Sequence, residues 1–394
     1  MLPDADFFNF EQLLSPEETA KLAELRSFLA AEVLPHAGGW WDEARFPVEL
    51  LPGLASLGLS TPVQRGYSPL FAGLVIAEMT RADTSIATFF MVHHDLFVEG
   101  LHAFGSEEQK ERLLADAQSL KITGAFALTE PDHGSDVAGG MATMAVREGE
   151  DWILNGTKRW IGNGTFCDWM LCWGREPETG KIRGFLLDAS SPGIKRTRIE
   201  NKTALRTVQN ADIELTDVRV READRLAGIE SFEDIKHLLR GSRIMVGWQA
   251  VGQQLAAFDV ARAYAVERMQ FGRPLASFQL VQQQLVRMQG NVVASTGMLA
   301  RVSELEQGGY GAVSDDGTAR GDMARAALAK SYASALMRET VSLGRSLLGG
   351  NGIVSDYRMA RIFADAEAIY TYEGTYEINT LIAGREITGV SALR

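Results

Sequence analysis

The spacing of apolar residues changes twice along this chain, and no other feature restricts its fold as strongly. Up to about residue 121 apolar residues recur every three or four positions, as in amphipathic helices. Residues 122–231 instead contain short stretches of β-type composition, separated by Gly, Pro and Asn. Over residues 232–394 the helical spacing returns in long segments. This order predicts an α+β protein with three domains: helices, then strands, then helices.

Capping signals mark helix starts in the first region. Ser15 is followed by Glu18, the pattern of a capping box, and "SEEQKERLLADA" begins in the same way. In the last region Val281, Leu285 and Met288 begin an apolar seam that continues at alternating threes and fours, and residues 322–348 form an Ala-rich helical stretch. We therefore predict an N-terminal helical domain over 1–121 and a C-terminal four-helix bundle over 232–394.

The middle region is predicted to be a small β-barrel or sandwich over 122–231. "MLCWG", "RGFLLDA" and "ADIELTDVRV" have the composition of short strands. In "WILNGTKRWI" the pair Asn155-Gly156 is the strongest short signal for a hairpin turn, so this stretch is predicted to be two strands.

Composition excludes several classes of protein. The net charge of −12 argues against a nucleic-acid surface, which needs a basic field. The only cysteines are Cys167 and Cys172, too few for a disulfide framework and without a metal-binding pattern. There is no GxGxxG after a strand, no GxSxG and no HExxH, and we expect no metal site. No apolar run is long enough to span a membrane and no export signal is visible, so we expect a cytoplasmic protein.

Four short stretches each have a structural and a functional interpretation. "FALTEPDHGSD" (126–136) is an interdomain turn or a site for an anion or a planar heterocycle, and "LLGGNG" (347–352) is a helix C-cap or a ligand loop. "GGYGAV" (308–313) is predicted to be a loop between helices. In "IYTYEGTYEINTL" (369–381), Glu373 is either a solvated helix-end charge or a base held against an apolar cleft.

Taken together, these motifs carry a family resemblance. "FALTEPDHGSD", "ERMQFGRPLASFQ", "LLGGNG" and "TYEGTYEINTLIAGREITG" resemble, in this order, the two flavin motifs, the third FAD motif and the base-bearing segment of acyl-CoA dehydrogenases. The resemblance covers nearly the whole chain. Within the family the chain is most similar to the branch of glutaryl-CoA dehydrogenase and the plant peroxisomal short-chain acyl-CoA oxidase.

The resemblance implies a reaction and a set of site residues. Glu373 would remove the α-proton of an acyl-CoA thioester while a hydride moves to flavin N5, giving the trans-2-enoyl-CoA. Family members that place the base on an earlier helix need an acid there, and "KHLLRGSR" contains none. Substrate contacts would come from Ala87, Ser135, Ser242, Arg243, Tyr372 and Gly374. FAD contacts would come from Phe126, Leu128, Thr129, Ser135, Trp160, Ile161, Gly162, Arg268, Gln279, Gly349, Gly350 and Thr375.

Two departures from the family pattern affect what the resemblance implies. Ala87 stands where glutaryl-CoA dehydrogenases carry an Arg for the distal carboxylate, and Met91 replaces a polar partner. A buried carboxylate without a cation is strongly disfavoured, so we expect a short or medium acyl chain rather than glutaryl-CoA. Gly162 stands where dehydrogenases usually have a Thr beside flavin N5, and we expect space or water there.

The acceptor and the assembly follow from the same resemblance. We expect electrons to pass to electron transfer flavoprotein, with an oxidase that uses O₂ as the alternative. A catalytically idle, nucleic-acid-associated relative is opposed by the net charge and by Glu373. Arg268 and Gln279 would reach the FAD of a neighbouring subunit, so a homotetramer is expected, with acyl-CoA as substrate.

Overall fold

A computed structural model describes residues 5–308 and 322–392, and within them the predicted order of helices, strands and helices is confirmed. Most of the stretch "GGYGAV" lies outside the described residues, so its prediction as a loop stays a prediction. No helix of the described ranges is long and apolar enough to cross a membrane.

Seven helices precede the sheet. Both predicted capping boxes are present, because the Ser15 hydroxyl accepts from Glu18 N and the Glu18 carboxylate accepts from Ser15 N, and Ser106 exchanges the same pair with Gln109. Wider π-helical turns interrupt the helices at Leu29–Val33 and Val92–Val98, and such turns recur at functional sites. The seven helices are α1 Pro16–Phe28, α2 Ala37–Glu43, α3 Leu51–Ser56, α4 Pro69–Ala82, α5 Thr84–Met91, α6 Glu99–Phe104 and α7 Glu107–Gln118.

The middle region is a curled seven-stranded sheet with one short helix. The strands are β1 Gly124–Ala127, β2 Met144–Glu148, β3 Asp151–Ile161, β4 Trp169–Arg175, β5 Ile182–Asp188, β6 Ile194–Arg198 and β7 Ala211–Arg221, with α8 Val137–Gly140 after β1. The order is β1-β4-β2-β3-β7-β6, and β5 also pairs with β4. β5 pairs with β4 over its whole length, while β1 pairs at residues 169–172 and β2 at Arg175, so β1 and β2 share the other edge of β4.

The hairpin predicted at Asn155-Gly156 is wrong. Residues 151–161 form the single strand β3, and the register against β7 shifts between Leu154 and Gly156. Asn155 Nδ2 donates to Asp217 Oδ1 on β7, and its Oδ1 accepts from Asp217 N, so its amide completes a bulge rather than a turn. A Cβ at Gly156 would lie 2.5 Å from Thr143 Oγ1, so the glycine serves a close approach of the backbone to β2.

The C-terminal region is a helical bundle, as predicted. It contains α9 Phe232–Glu267, α10 Gln279–Gln307, α11 Asp322–Leu347, α12 Met359–Thr371 and α13 Tyr376–Thr388, with the short pair β8 Met269–Gln270 and β9 Arg273–Pro274 between α9 and α10. The predicted Ala-rich helix over 322–348 is therefore present and ends one residue early. Gly349 follows it with φ 59°, consistent with the helix-end interpretation of "LLGGNG".

Three apolar clusters join these parts. One runs continuously through the N-terminal helices and the bundle, from Leu22 to Trp248 and Ile369. A second packs α6 and α7 against the sheet around Trp173, and the third fills the interior of the sheet around Phe185. The N-terminal half of α9 meets α5 and the end of α12 inside the molecule, through bonds from Gln249 to Thr88 and from Tyr372 to Gln249, and the candidate base follows Tyr372.

Candidate active site

Glu373 occupies a tight link between α12 and α13. Tyr372 ends α12, and Glu373 and Gly374 follow with φ of 53° and 81° before Thr375 caps α13. A left-handed backbone is unusual for a residue with a side chain and costs about 1–3 kcal/mol, so surrounding contacts must hold it. Such strain is concentrated at functional sites, which favours the interpretation of Glu373 as a functional carboxylate.

The link is held by side chains from three helices. Arg243 Nε of α9 donates to the Glu373 carbonyl at 3.2 Å. Asn379 Nδ2 of α13 donates to the Gly374 carbonyl at 2.7 Å. Lys330 Nζ of α11 donates to the same carbonyl at 2.8 Å and to the Tyr370 carbonyl at 3.1 Å. The backbone around the carboxylate is therefore fixed before any substrate binds.

Among the residues that the structure describes, the carboxylate itself has one side-chain hydrogen-bond partner. Ser242 Oγ donates to Glu373 Oε2 at 2.7 Å. Ser242 and Arg243 are neighbours on α9 and were both predicted from the sequence to lie at the substrate. The structure brings them together with Glu373, the first on its carboxylate and the second on its carbonyl.

Lys330 was missed by the sequence analysis. Its side chain is fully buried, and burial lowers the pKa of its ammonium to about 7, although Glu373 opposes this shift. A signal was present in the sequence, because Lys330 falls on the apolar stripe of α11 with Ala326, Ala333 and Met337 at helical spacing. A lysine on such a stripe needs internal acceptors, and the carbonyls beside Glu373 supply them.

Tyr372 is tied to α5 and α9 through a buried chain of hydrogen bonds. Its hydroxyl donates to Gln249 Oε1, and Gln249 Nε2 donates to Thr88 Oγ1 at 2.9 Å. Thr88 in turn donates to the Thr84 carbonyl at 2.8 Å. Burial raises the pKa of the Tyr372 hydroxyl above its usual range, so it stays a neutral donor. This chain positions the residue directly before Glu373.

A cavity of about 350 Å³ lies beside Ser242. Its walls come from α4, α5, α6 and α9 and are largely apolar, with Val75, Ile76, Phe90, Leu238 and Met245 among them. Asp95, Glu99 and Glu306 add three carboxyl groups to the wall. Because Ser242 both lines this cavity and binds the Glu373 carboxylate, a ligand in the cavity lies next to the candidate base. Asp95 and Glu99 were missed by the sequence analysis.

Several predicted cofactor residues lie at the ends of β1 and β3, which a hydrogen bond from Arg159 N to the Thr129 carbonyl joins. Phe126 lies in β1, Leu128 and Thr129 directly follow it, and Ser135 is exposed in the bend before α8. Trp160 lies near the end of β3 with φ 63° and a half-exposed indole. The Thr129 and Ser135 hydroxyls and the half-exposed Trp160 ring suit a flat heterocycle with polar edges and fit a flavin, whereas the Phe126 and Leu128 side chains are buried in the second apolar cluster.

The volume beside Gly162 is not the open or water-filled space that we expected from the sequence. A Cβ at Gly162 would lie 2.9 Å from Val92 Cγ2, at the start of the π-helical turn after α5. The neighbouring Ile161 is buried. Glycine is present here because Val92 fills the volume that a longer side chain would need, so that expectation is corrected.

Four other predicted FAD residues lie at the opposite end of the bundle. Arg268 follows α9 and is 25 residues beyond Arg243, about 37 Å along a helix at about 1.5 Å per residue. Asn351 Nδ2 donates to the hydroxyl of Tyr264 near that same end of α9, at 3.0 Å. All four of these residues are exposed and far from Glu373 of the same chain: Arg268, Gln279, Gly349 and Gly350.

The remaining predicted site residues, Ala87 and Thr375, contact other parts of the protein. Ala87 and Met91 are buried in the main apolar cluster, and from α5 it is Phe90 that lines the cavity described above. Thr375 caps α13, its hydroxyl accepting from Ile378 N at 3.2 Å.

Within the described ranges, His93 is hydrogen-bonded to the backbone and both cysteines are buried. His93 binds the Ala117 carbonyl through Nε2 at 2.8 Å and accepts from Gly124 N through Nδ1 at 2.9 Å. Cys167 and Cys172 are buried, and burial raises the pKa of these thiols to about 12 and about 11. Among residues 5–308 and 322–392 no group of His, Cys, Asp and Glu could hold a metal ion.

Comparison with known protein families matches the chain over three consecutive segments. The models described as acyl-CoA dehydrogenase N-terminal domain, middle domain and C-terminal domain cover residues 15–121, 125–218 and 232–388. A curated relative, the probable acyl-CoA dehydrogenase YngJ of Bacillus subtilis, is 30% identical over 96% of this chain and 99% of its own length.

Solved structures show the same architecture. Glutaryl-CoA dehydrogenase from Mycobacterium smegmatis has a TM-score of 0.93 at 34% identity and full coverage of both chains. A glutaryl-CoA dehydrogenase from the same organism in complex with FADH2 has a TM-score of 0.92 at 30% identity, covering 99% of each chain. A chain in the structure of the electron transferring flavoprotein of Acidaminococcus fermentans has a TM-score of 0.88 at 26% identity, covering 95% of this chain and 98% of its own.

Proposed function

This chain belongs to the acyl-CoA dehydrogenase family, and we propose that it oxidises short- to medium-chain acyl-CoA thioesters to trans-2-enoyl-CoA with Glu373 as the base. The observation that carries this proposal is the position of the carboxylate. Glu373 is held in a strained link, bound by Ser242, beside a largely apolar cavity. A solvated helix-end charge would need none of these contacts.

Each contact of the link has a part in proton removal. An α-proton of a thioester is weakly acidic, so the base must meet it at a fixed position and the developing charge must be stabilised. Arg243, Lys330 and Asn379 fix the backbone, while Ser242 orients one carboxylate oxygen and leaves the other for the proton. We propose that the Glu373 N–H binds the thioester oxygen as charge develops there.

The cofactor of this family is FAD, and the residues present fit it. FAD supplies the acceptor for the β-hydride, at N5. Phe126, Leu128, Thr129, Ser135 and Trp160 would hold it at the edge of the sheet, and Thr375 would approach it from α13.

Arg268, Gln279, Gly349 and Gly350 lie too far from Glu373 to bind the same flavin. We infer that they reach the flavin of a neighbouring subunit, as the family resemblance implies. Completion of the site then requires an oligomer, for which we propose a homotetramer. Sedimentation analysis of the FAD-loaded protein tests this, and a monomer that binds FAD fully and turns over would contradict it.

Electrons are proposed to leave through a partner flavoprotein. The similarity to a chain in the structure of an electron transferring flavoprotein supports this acceptor, and the half-exposed Trp160 lies on the proposed flavin side of the sheet. The rival, an oxidase that uses O₂, rests on the resemblance to the plant oxidase, which includes Gly162; a Cβ at Gly162 would lie 2.9 Å from Val92 Cγ2.

Anaerobic flavin bleaching tests the proposed reaction. The purified protein is expected to carry FAD and to lose its 450 nm absorbance when butyryl-CoA or hexanoyl-CoA is added without oxygen, with enoyl-CoA as product. A protein that binds FAD but is not bleached by any acyl-CoA between about C4 and C10 would overturn the proposal.

A further inference from the structure

Asp95 places a carboxyl group in the wall of the cavity that leads to Glu373. It lies in the π-helical turn Val92–Val98, one turn before Glu99, which also lines the cavity. In the described part of the chain, its Oδ2 is enclosed and has no hydrogen-bond partner. Glu99 differs, because its carboxylate accepts from Gln64 Nε2 at 2.6 Å.

A carboxyl group in this position is costly without a ligand. Burial raises the pKa of Asp95 well above its usual value, and the negative fields of Glu99 and Glu373 raise it further. Buried polar groups are normally paired, and an unpaired one destabilises the fold. Because the unpaired Asp95 carboxyl group destabilises the fold and lies near the candidate base, it is a candidate ligand-binding group.

We propose that this cavity selects acyl-CoA thioesters whose acyl chain carries a hydrogen-bond donor, a hydroxyl or an ammonium, and that Asp95 accepts from it. The inference rests on the proposed function, because it takes the cavity to be the acyl site. It deepens that function by naming the substrate class. Asp95 acts here as a specificity-determining residue that takes no part in proton removal.

The charges around the cavity favour a donor over an acid. Asp95, Glu99 and Glu306 line the cavity, and Glu373 is bound by Ser242 in its wall, so a distal carboxylate on the substrate would meet the negative field of these groups. Arg240 lines the cavity but is paired with Glu306. His102 and His237 also line it.

The test compares acyl groups that differ only by the donor. Butyryl-CoA is set against 4-hydroxybutyryl-CoA and 4-aminobutyryl-CoA, and hexanoyl-CoA against its 6-hydroxy and 6-amino counterparts. Each is assayed by anaerobic flavin reduction with the wild-type holoenzyme, with Asp95→Leu and with Glu99→Gln. Titration calorimetry at pH 7.5 gives the affinity of the corresponding enoyl-CoA products, which do not reduce the flavin.

We expect at least one donor-bearing acyl group to exceed its plain counterpart by about tenfold or more in kcat/KM, because the donor would give the enclosed Asp95 oxygen the partner it lacks, and tenfold corresponds to about 1.4 kcal/mol. Asp95→Leu should remove this preference and raise the rate with the plain chain. Glu99→Gln should change the preference by less than about threefold, because Glu99 already has a partner.

Three results would overturn the inference, and one of them also removes its premise. Plain chains preferred at both lengths would contradict it, as would Asp95→Leu weakening plain and donor-bearing chains equally, which would place Asp95 on the CoA arm. Failure of every acyl-CoA to bleach the wild-type flavin would instead refute the proposed function itself.

Discussion

Lys330→Met separates a positioning role for this lysine from a purely structural one. The substitution removes the bonds to the Tyr370 and Gly374 carbonyls, and bonds to a charged group contribute about 1.5–3 kcal/mol each. It also removes a buried charge whose pKa falls from 10.5 to about 7, equivalent to about 5 kcal/mol at about 1.4 kcal/mol per unit. The two effects nearly cancel, so the unfolding free energy at pH 7 should change by no more than about 2 kcal/mol.

Activity should respond far more than stability. Without Lys330 the strained link loses one of its three supports, and a displacement of about 1 Å at a reacting group can cost about a hundredfold in rate. We expect kcat with butyryl-CoA to fall by about ten- to a hundredfold with FAD still bound. Lys330→Arg, which keeps a cation and its donors, should recover part of the loss.

The pH dependence of stability supplies an independent measurement. Because the pKa of Lys330 is lower in the folded than in the unfolded protein, the unfolded chain binds more protons between about pH 7 and pH 10.5. The stability of the wild type relative to Lys330→Met should therefore rise with pH through this window and stay flat below it. Urea unfolding followed by circular dichroism at pH 6, 7.5 and 9 measures this difference.

Lys158 provides a contrast, since it is also fully buried but pairs with the carboxylate of Glu130 at 2.8 Å. Lys158→Met leaves that carboxylate buried without its cation and should cost several kcal/mol of stability, unlike Lys330→Met. If Lys330→Met turned over at the wild-type rate, or lost stability as Lys158→Met does, the positioning role would be refuted.

Three further predictions concern the reaction. Glu373→Gln should retain FAD while anaerobic flavin reduction slows by at least about a hundredfold, and a wild-type rate would remove Glu373 as the base. Butyryl-CoA or hexanoyl-CoA should exceed glutaryl-CoA by at least about tenfold in kcat/KM, whereas rapid release of CO₂ from glutaryl-CoA would contradict this. In stopped-flow reoxidation, the product-bound reduced enzyme should react slowly with air and rapidly with electron transfer flavoprotein; air oxidation at the rate of turnover, with hydrogen peroxide, would identify an oxidase. Gly162→Thr should be examined together with Val92→Ala, because Thr alone would collide with Val92.

Local signals in the sequence were sufficient for most of the elements, and they marked the segment of Glu373 as a candidate site whose base role the family resemblance implies. Capping boxes at Ser15 and Ser106 act over three residues, and the seam of α10 repeats within one helix, so both are legible without tertiary information. The segment around Glu373 likewise combines an acid, a glycine and aromatic residues within a few positions. The Asn155-Gly156 hairpin failed because its outcome depended on distant partners, Asp217 on β7 and Thr143 beside β2.

Only the tertiary structure decided which side chains contact the segment of the candidate base, Glu373, and which groups line the cavity beside Ser242. Lys330 is 43 positions before Glu373, Ser242 is 131 before it, and neither distance in the chain predicts a contact. No sequence pattern marked Asp95 as a site residue. The structure places it in the wall of a cavity that α5, α6 and α9 also line. Secondary structure follows from interactions between near neighbours, whereas a site is made where segments far apart in the chain pack together, and the burial of a charge exists only after they have done so.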